Sequence, residues 1–510
     1  MDFLDPQKQK AHARRLAIGY LLIGAAVILA TTILLYRSYG FELGKNGQIV
    51  QQGLVFVSSS PNPANIYIDG QLNGTTNKRV FIDAGQYRFE IERNGYRPWW
   101  RDVTVEGGSV EHFDYPFLFP TTLTSSPVKN YGSNPELSIQ SPSRQWLLVQ
   151  SPSAFDEFDE FDLSNTQVTQ VIATEQTITI PQSVYTQSTG AQSWAMVEWS
   201  TDNKHVILKH TFEEDGQIAS EYILLDRADP QDSINLTNML GTNPTSLSFV
   251  DKSNYQNYYV YDQSARTLET ASLSSPAPQP YLNNVMAFYP YTKGNILYAT
   301  TQGAPSGKVA IDLLQGGTTY PITQLNAGSN PESDQYLLDF TQYSGDWYVA
   351  VGISGDNKVY VYQDPQTQLQ AEPGQAVAPI AILKVNNPNN ISFSANAQFI
   401  MVESGTSFAV YDAENEKSYA YTIKAPLDSP QAYATWMDGD RLMYVSNAKV
   451  VVFDYDSANQ QTLVSAMSGL LPVFDTNYTY LYTYVSVPAN GSAPAGTDLD
   501  ATSMLIPKDQ

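Results

Sequence analysis

Cysteine is absent from all 510 residues. That removes disulfides, thiolate catalysis and cysteine-ligated zinc in one step. Histidine is nearly absent as well, with four copies at His12, His112, His205 and His210. His205 and His210 are five apart in a stretch of strand character and so project to opposite faces, a spacing that offers neither a metal pair nor a triad. No Gly-x-Ser-x-Gly, P-loop or dinucleotide fingerprint occurs. On these grounds the chain is read as non-enzymatic and without a cofactor. Charge is sparse at 15 % of residues, and the basic share is the smaller, 28 Lys and Arg against 51 Asp and Glu. Such a surface repels phosphate backbones, which argues against nucleic acid as a partner.

What remains is rich in Tyr, Phe and Trp, together 12 %, and in Ser, Thr, Asn and Gln, a mixture that suits β-structure. One run breaks the pattern. Leu16–Tyr36 reads LAIGYLLIGAAVILATTILLY without a charge, long enough as a helix to span the ~30 Å hydrocarbon core. Lys8, Lys10, Arg14 and Arg15 precede it, and Arg37 alone follows at once. The positive-inside rule then keeps the N-terminus in the cytoplasm and places the rest outside. A cleaved signal peptide is the competing reading. Its apolar core would run to about 7–15 residues before a small-x-small site, and YRSYG is a poor one. The expectation is an uncleaved single-pass anchor: a cytoplasmic tail over 1–15, the membrane helix over 16–36 and a linker over 37–52.

From Gly53 to Phe119, short alternating segments such as ANIYIDG, KRVFIDAG and QYRFEIERNGY are punctuated by Gly, Asn and Pro. About seventy residues of this kind predict a compact β-sandwich. The order Ser59-x-Pro61-x-x-Ala64, then Ile-Tyr-Ile-Asp69-Gly70, Gly74-Thr75, Gly85 and Gly95-Tyr96 resembles the PEGA domain, a bacterial surface module. Asp83–Gln86 stands where the name-giving tetrapeptide of that family falls. The glycines are expected at tight turns that need positive φ.

Beyond residue 120 the chain repeats. An apolar strand ending in aspartate and a polar turn recurs at Asp162, Asp226, Asp262, Asp312, Asp364, Asp412, Asp454 and Asp509, in steps of 64, 36, 50, 52, 48, 42 and 55 residues. A second strand with its own turn precedes most of these, as in STDNKHVILKH and SANAQFIMVE. Units of about 40–50 residues with four short strands predict a β-propeller over 120–510. The pattern resembles WD-repeat-like and TolB-type propellers. Outer strands such as TQVTQVI are expected to follow each marker. Asp509 has no such follower, and an open sheet edge invites aggregation. The segment 120–132 is therefore expected to serve as the outer strand of the last blade. Eight blades result, or seven if the short repeat Asn243–Ser274 is degenerate. The fold class is mainly β: one membrane helix, a small sandwich and a propeller.

Candidate site residues are few. In GYRPWW, Trp99 and Trp100 must point to opposite faces of a strand. Tyr96, Trp99 and Trp100 are the candidate ligand-binding aromatics, weighed against simple packing. The run FDEFDEFD, Phe155–Asp162, makes Asp156, Asp159 and Asp162 weak calcium candidates. It lacks the glycine and spacing of an EF-hand loop, as does DYDSAN at Asp454–Asn459, and a solvated blade-to-blade loop is the reading taken. The turns His210–Tyr222 and Thr300–Lys308, rich in polar and aromatic residues, are expected to carry binding at one propeller mouth. The resulting expectation is a cell-surface protein, anchored in the cell membrane by Leu16–Tyr36, presenting a propeller to an envelope protein or neutral glycan. The alternatives are a propeller lyase or hydrolase acting on envelope polymers, and a purely structural envelope scaffold.

Overall fold

The structure, a computed structural model, describes residues 6–38, 40–43, 49–164, 174–328, 331–428, 433–489 and 495–507. Two compact units divide them. One holds the chain up to Thr122 with the segment from Leu505; the other holds Leu123–Met504.

In the first unit, helix α1 spans Pro6–Ser38 and contains the whole apolar run. Leu21, Ile28 and Leu34 on it are each about 70 % exposed. Each such side chain costs about 1.5–3 kcal/mol in water relative to an apolar surrounding, and the helix is long and apolar enough to cross a membrane. After it comes a sandwich of two four-stranded sheets. One contains Phe41–Leu43, Ile49–Val57, Lys78–Asp83 and Val110–Phe113. The other orders Gln71–Thr75, Asn65–Ile68, Gly85–Glu92 and Trp99–Val105. Alternate residues of both, Val55, Val57, Ile66, Phe89, Ile91 and Trp99 among them, fill the space between.

Gly95 has φ +90°, and a Cβ there would meet Ile506 Cδ1 at 2.9 Å. Only glycine combines that backbone with so close an approach. The Ile506 N–H donates to the Tyr96 hydroxyl at 3.1 Å, which seats the returning segment Leu505–Pro507 in this unit. Gly85 corrects the turn expectation: it opens a strand without positive φ, and its added Cβ would press on the Tyr87 ring at 3.3 Å.

The second unit is a β-propeller. Among the described residues it has eight four-stranded sheets, here blades 1 to 8. Blades 1 to 7 cover residues 138–179, 192–235, 246–283, 285–326, 336–384, 390–422 and 435–465. Blade 8 takes three strands from 473–503, and Ser125–Tyr131 pairs antiparallel with Gly496–Ser503 as its fourth. The first strands of blades 2 to 6 lie side by side in sequence. Each blade is apolar on both faces, which is why strands such as Trp146–Gln150 read as near-continuous hydrophobic runs. Leu148 of that strand packs with Trp199 and Val206 of blade 2. Its neighbours Leu147 and Val149 pack with Tyr482, Tyr484 and Leu499 of blade 8. The second of these clusters closes the ring.

The repeat Asn243–Ser274 is no degenerate unit, since it supplies three strands of the complete blade 3. Its marker is out of phase, however. Asp162, Asp226, Asp412 and Asp454 end third strands, whereas Asp262 ends the second strand of blade 3 and Asp312 sits inside a third strand. The third strand of blade 8 ends at Ser503; Asp509 lies outside the described residues, as does the stretch TQVTQVI. The described outer strand of blade 1 is Thr174–Thr179.

Candidate binding site

The acidic run is the largest departure from expectation. Glu157–Asp162 is the third strand of blade 1 rather than a solvated loop, with Asp159 and Glu160 buried. Adjacent residues on a strand face opposite ways, and each carboxylate meets a cation from a different neighbour. Asp159 pairs with Lys129 Nζ at 2.8 Å, from the outer strand of blade 8. Glu160 Oε2 accepts from Arg227 Nη1 at 2.7 Å, from blade 2, and that guanidinium lies 3.8 Å from the Trp146 ring. Asp162 Oδ1 accepts from the Ser164 N–H at 2.9 Å. Asp156, Asp159 and Asp162 therefore do not converge. Among the described residues no group of three His, Asp or Glu side chains is placed to hold a metal.

The aromatic candidates also diverge. Trp99 is buried in the sandwich core, its ring 5.8 Å from Phe113 and 5.7 Å from Tyr115. Tyr96 is buried beside it. Trp100 faces outward, 38 % exposed, under the Arg88 guanidinium at 4.3 Å. The two histidines of the propeller are held in local contacts. His205 bonds Asp202 Oδ2 at 2.6 Å and stacks on Tyr255 at 3.5 Å. His210 is fully buried against Glu221 at 2.9 Å. Burial pushes the Glu221 carboxyl up, but donors from His210, Thr186 and Asn235 outweigh it and hold it below the ordinary range. The stretch His210–Tyr222 is mostly the strand pair His205–Glu214 and Gln217–Asp226, closed by Asp215 and Gly216. Thr301–Gly307 is a true connection between two strands.

A cavity lies elsewhere. It is formed at the boundary of blades 3 and 4, with a volume of about 370 Å³. The outer strand of blade 3, Ser275–Asn283, carries Pro276, Pro278 and Pro280 at alternate positions. Proline is confined to edge strands because it cannot donate to a ladder. The pairing of this strand with Thr267–Ser272 slips twice, after Leu268 and after Thr270. Such bulges bend a strand away from its partner. The space so opened is lined by Tyr259 and Tyr281, by Asn257, Thr270 and Gln279, and by Lys293 from the first turn of blade 4. The two tyrosine rings are 5.7 Å apart. Burial and the neighbouring Tyr281 both raise the Tyr259 hydroxyl pKa, so it stays a neutral donor. Among the described residues no carboxylate lines the cavity, in a chain with 51 of them. Aromatic faces with amide and hydroxyl groups around them suit a ligand that is flat and apolar on one side and hydroxylated at its edge. In each antiparallel blade, first-to-second and third-to-fourth turns share one end. The cavity is therefore at the end of the blades opposite Asp215–Gly216 and Thr301–Gly307. Sequence reasoning missed it; the alternate prolines were its one visible sign.

Residues 52–118 match the PEGA domain family. No curated protein matches the chain. Solved structures with a similar course include the Hsv2 protein of Kluyveromyces lactis, at 11 % identity and TM-score 0.37, covering 65 % of this chain and 98 % of that one. An oligogalacturonate lyase in complex with manganese gives 10 % identity and TM-score 0.36, over 62 % and 98 %. The dihydro-heme d1 dehydrogenase NirN gives 14 % and 0.37, over 69 % of each chain. Likeness at this level transfers no activity. The chain is thus an apolar N-terminal helix, a PEGA domain and an eight-bladed β-propeller.

Proposed function

We propose that this chain is a single-pass, membrane-anchored binding protein of a cell envelope, non-catalytic, whose propeller takes a neutral saccharide in the cavity between blades 3 and 4. The observation that carries the reading is the lining of that cavity: two tyrosines, neutral hydrogen-bonding side chains, one lysine and no carboxylate. A sugar ring offers its C–H face to tyrosine and its hydroxyls to amides. The exposed apolar length of α1 supports the anchor, and the four basic residues ahead of Leu16 support an external propeller. The test is a saccharide panel applied to the full chain in lipid nanodiscs. Binding of a neutral oligosaccharide that Tyr281→Ala weakens at least tenfold is the expected result. Binding only of charged polymers, or neutral binding untouched at Tyr281, contradicts the reading.

A further inference from the structure

One sheet of the PEGA-containing unit is apolar on both faces. Val55, Val57 and Val80 point into the sandwich and are buried. The residues between them point out. Leu54 stands opposite Phe81 on one side and Val110 on the other, and Phe56 stands opposite Arg79 and His112. These six side chains form a contiguous grid in register. Phe81 is 59 % exposed and Val110 53 %. His112 stacks on Phe56 at 4.9 Å, and the Arg79 guanidinium lies 5.3 Å from the same ring. An outward sheet face is ordinarily polar, and a clustered apolar patch marks an interaction surface.

The chain path says what meets it. Helix α1 ends at Ser38, and Phe41–Leu43 is already a strand of this sheet, paired with the same long strand that carries Leu54 and Phe56. Three residues span at most about 10 Å. The Tyr36 ring at the helix end lies 5.2 Å from Phe41. The charges agree with a lipid head group. Arg79 and His112 flank the apolar patch, and Asp83, at the end of the strand that carries Arg79, is engaged by Gln52 at 3.0 Å.

We propose that this face rests on the bilayer that α1 enters, with Leu54, Phe56, Phe81 and Val110 in the head-group region and Arg79 and His112 directed at lipid phosphates. The inference rests on the anchor reading above. Aromatic and aliphatic side chains at that depth gain area burial, and their basic neighbours gain phosphate contacts. The domain is then held flat against the membrane.

The absence of cysteine makes the test clean. Phe81→Cys and, separately, Val110→Cys are made in the full chain, labelled with a nitroxide and reconstituted into vesicles of equal parts phosphatidylcholine and phosphatidylglycerol. Leu72→Cys, exposed on the other sheet, is the reference. Labels at 81 and 110 should collide with dissolved oxygen more than with a water-soluble nickel chelate, the order reversing at 72. Vesicle flotation is read on the same samples. Flotation with labels at 81 and 110 as water-exposed as that at 72 overturns this proposal and leaves the anchor intact. Failure to float overturns both.

Discussion

Blades 1 and 3 have the same four-stranded topology and opposite characters. In blade 1 the third strand is the most acidic segment of the chain, yet it is buried, with Asp159 and Glu160 fastened to blades 8 and 2 by Lys129 and Arg227. In blade 3 the outer strand has hardly a charge, carries three prolines, slips out of register twice and leaves a cavity. Charge placed between blades locks them, because each buried ion needs its partner in a fixed place. Neutral, bulged strand lets a blade part from its neighbour and expose hydrogen-bonding groups. The blades are joined by ion pairs at blade 1 and leave a cavity at blade 3.

The largest effect expected on this contrast is from Arg227→Ala. It strands Glu160, which is fully buried, and should cost about 3–5 kcal/mol in denaturant unfolding. Adding Glu160→Gln should return much of that loss; a double variant as unstable as the single one would mean that Arg227 acts through its packing on Trp146.

A buried carboxylate held by neutral donors sharpens the comparison. Glu403, in blade 6, accepts from Asn390 Nδ2 at 2.7 Å and from the Ala434 N–H at 3.0 Å. Burial pushes its pKa from the ordinary 4.5 up to about 7. The folded state therefore holds this proton more tightly than the unfolded chain. Its contribution to stability is complete below the unfolded value and is lost as pH rises through about 7. Glu403→Gln should then melt above the parent at about pH 8, by up to roughly 3 kcal/mol, and lose that advantage at about pH 5. A pH-independent difference would contradict the assignment.

On the open side, effects on stability should be small. Tyr281→Ala removes a ring that is 38 % exposed and should change unfolding by about 1 kcal/mol or less while removing saccharide binding. Pro278→Ser should shift stability within about 0.5 kcal/mol. It restores a donor to an edge strand, so self-association by light scattering should rise; unchanged monodispersity would show that the prolines do not guard the edge.

The blade architecture was legible because strand period and turn chemistry are local. The aspartate markers show both the strength and the limit of that signal. Asp226 Oδ1 accepts from the Ala228 N–H at 2.9 Å, and Asp262 Oδ1 accepts from the Ser264 N–H at 2.8 Å. The same two-residue turn thus closes a third strand in one blade and a second strand in the next. It announces a turn without saying which, and the short step of 36 residues from Asp226 to Asp262 follows from that. The acidic strand was misread for a different reason. Its cations lie far off in sequence, at Lys129 and Arg227, so five carboxylates in eight residues looked like solvent-facing charge. In GYRPWW the opposite faces of Trp99 and Trp100 were readable from strand period alone. That Tyr96 and Trp99 would both be core was not, since Phe113, Tyr115 and Ile506 complete that core from elsewhere. The cavity depends on two register slips and on a turn of the following blade, neither of which any local pattern encodes.

The central claim is that binding sits in the tyrosine-lined cavity between blades 3 and 4, at the end of the blades opposite the hairpin tip and the Thr301–Gly307 loop. Differential amide hydrogen exchange on the full chain, with and without the neutral oligosaccharide selected from the panel, tests it most directly. Protection confined to the backbone around Asn257–Tyr259, Thr270–Tyr281 and Lys293–Gly294 is the result predicted. Protection at Asp215–Gly216 and Thr301–Gly307, with blade 3 unchanged, would contradict it.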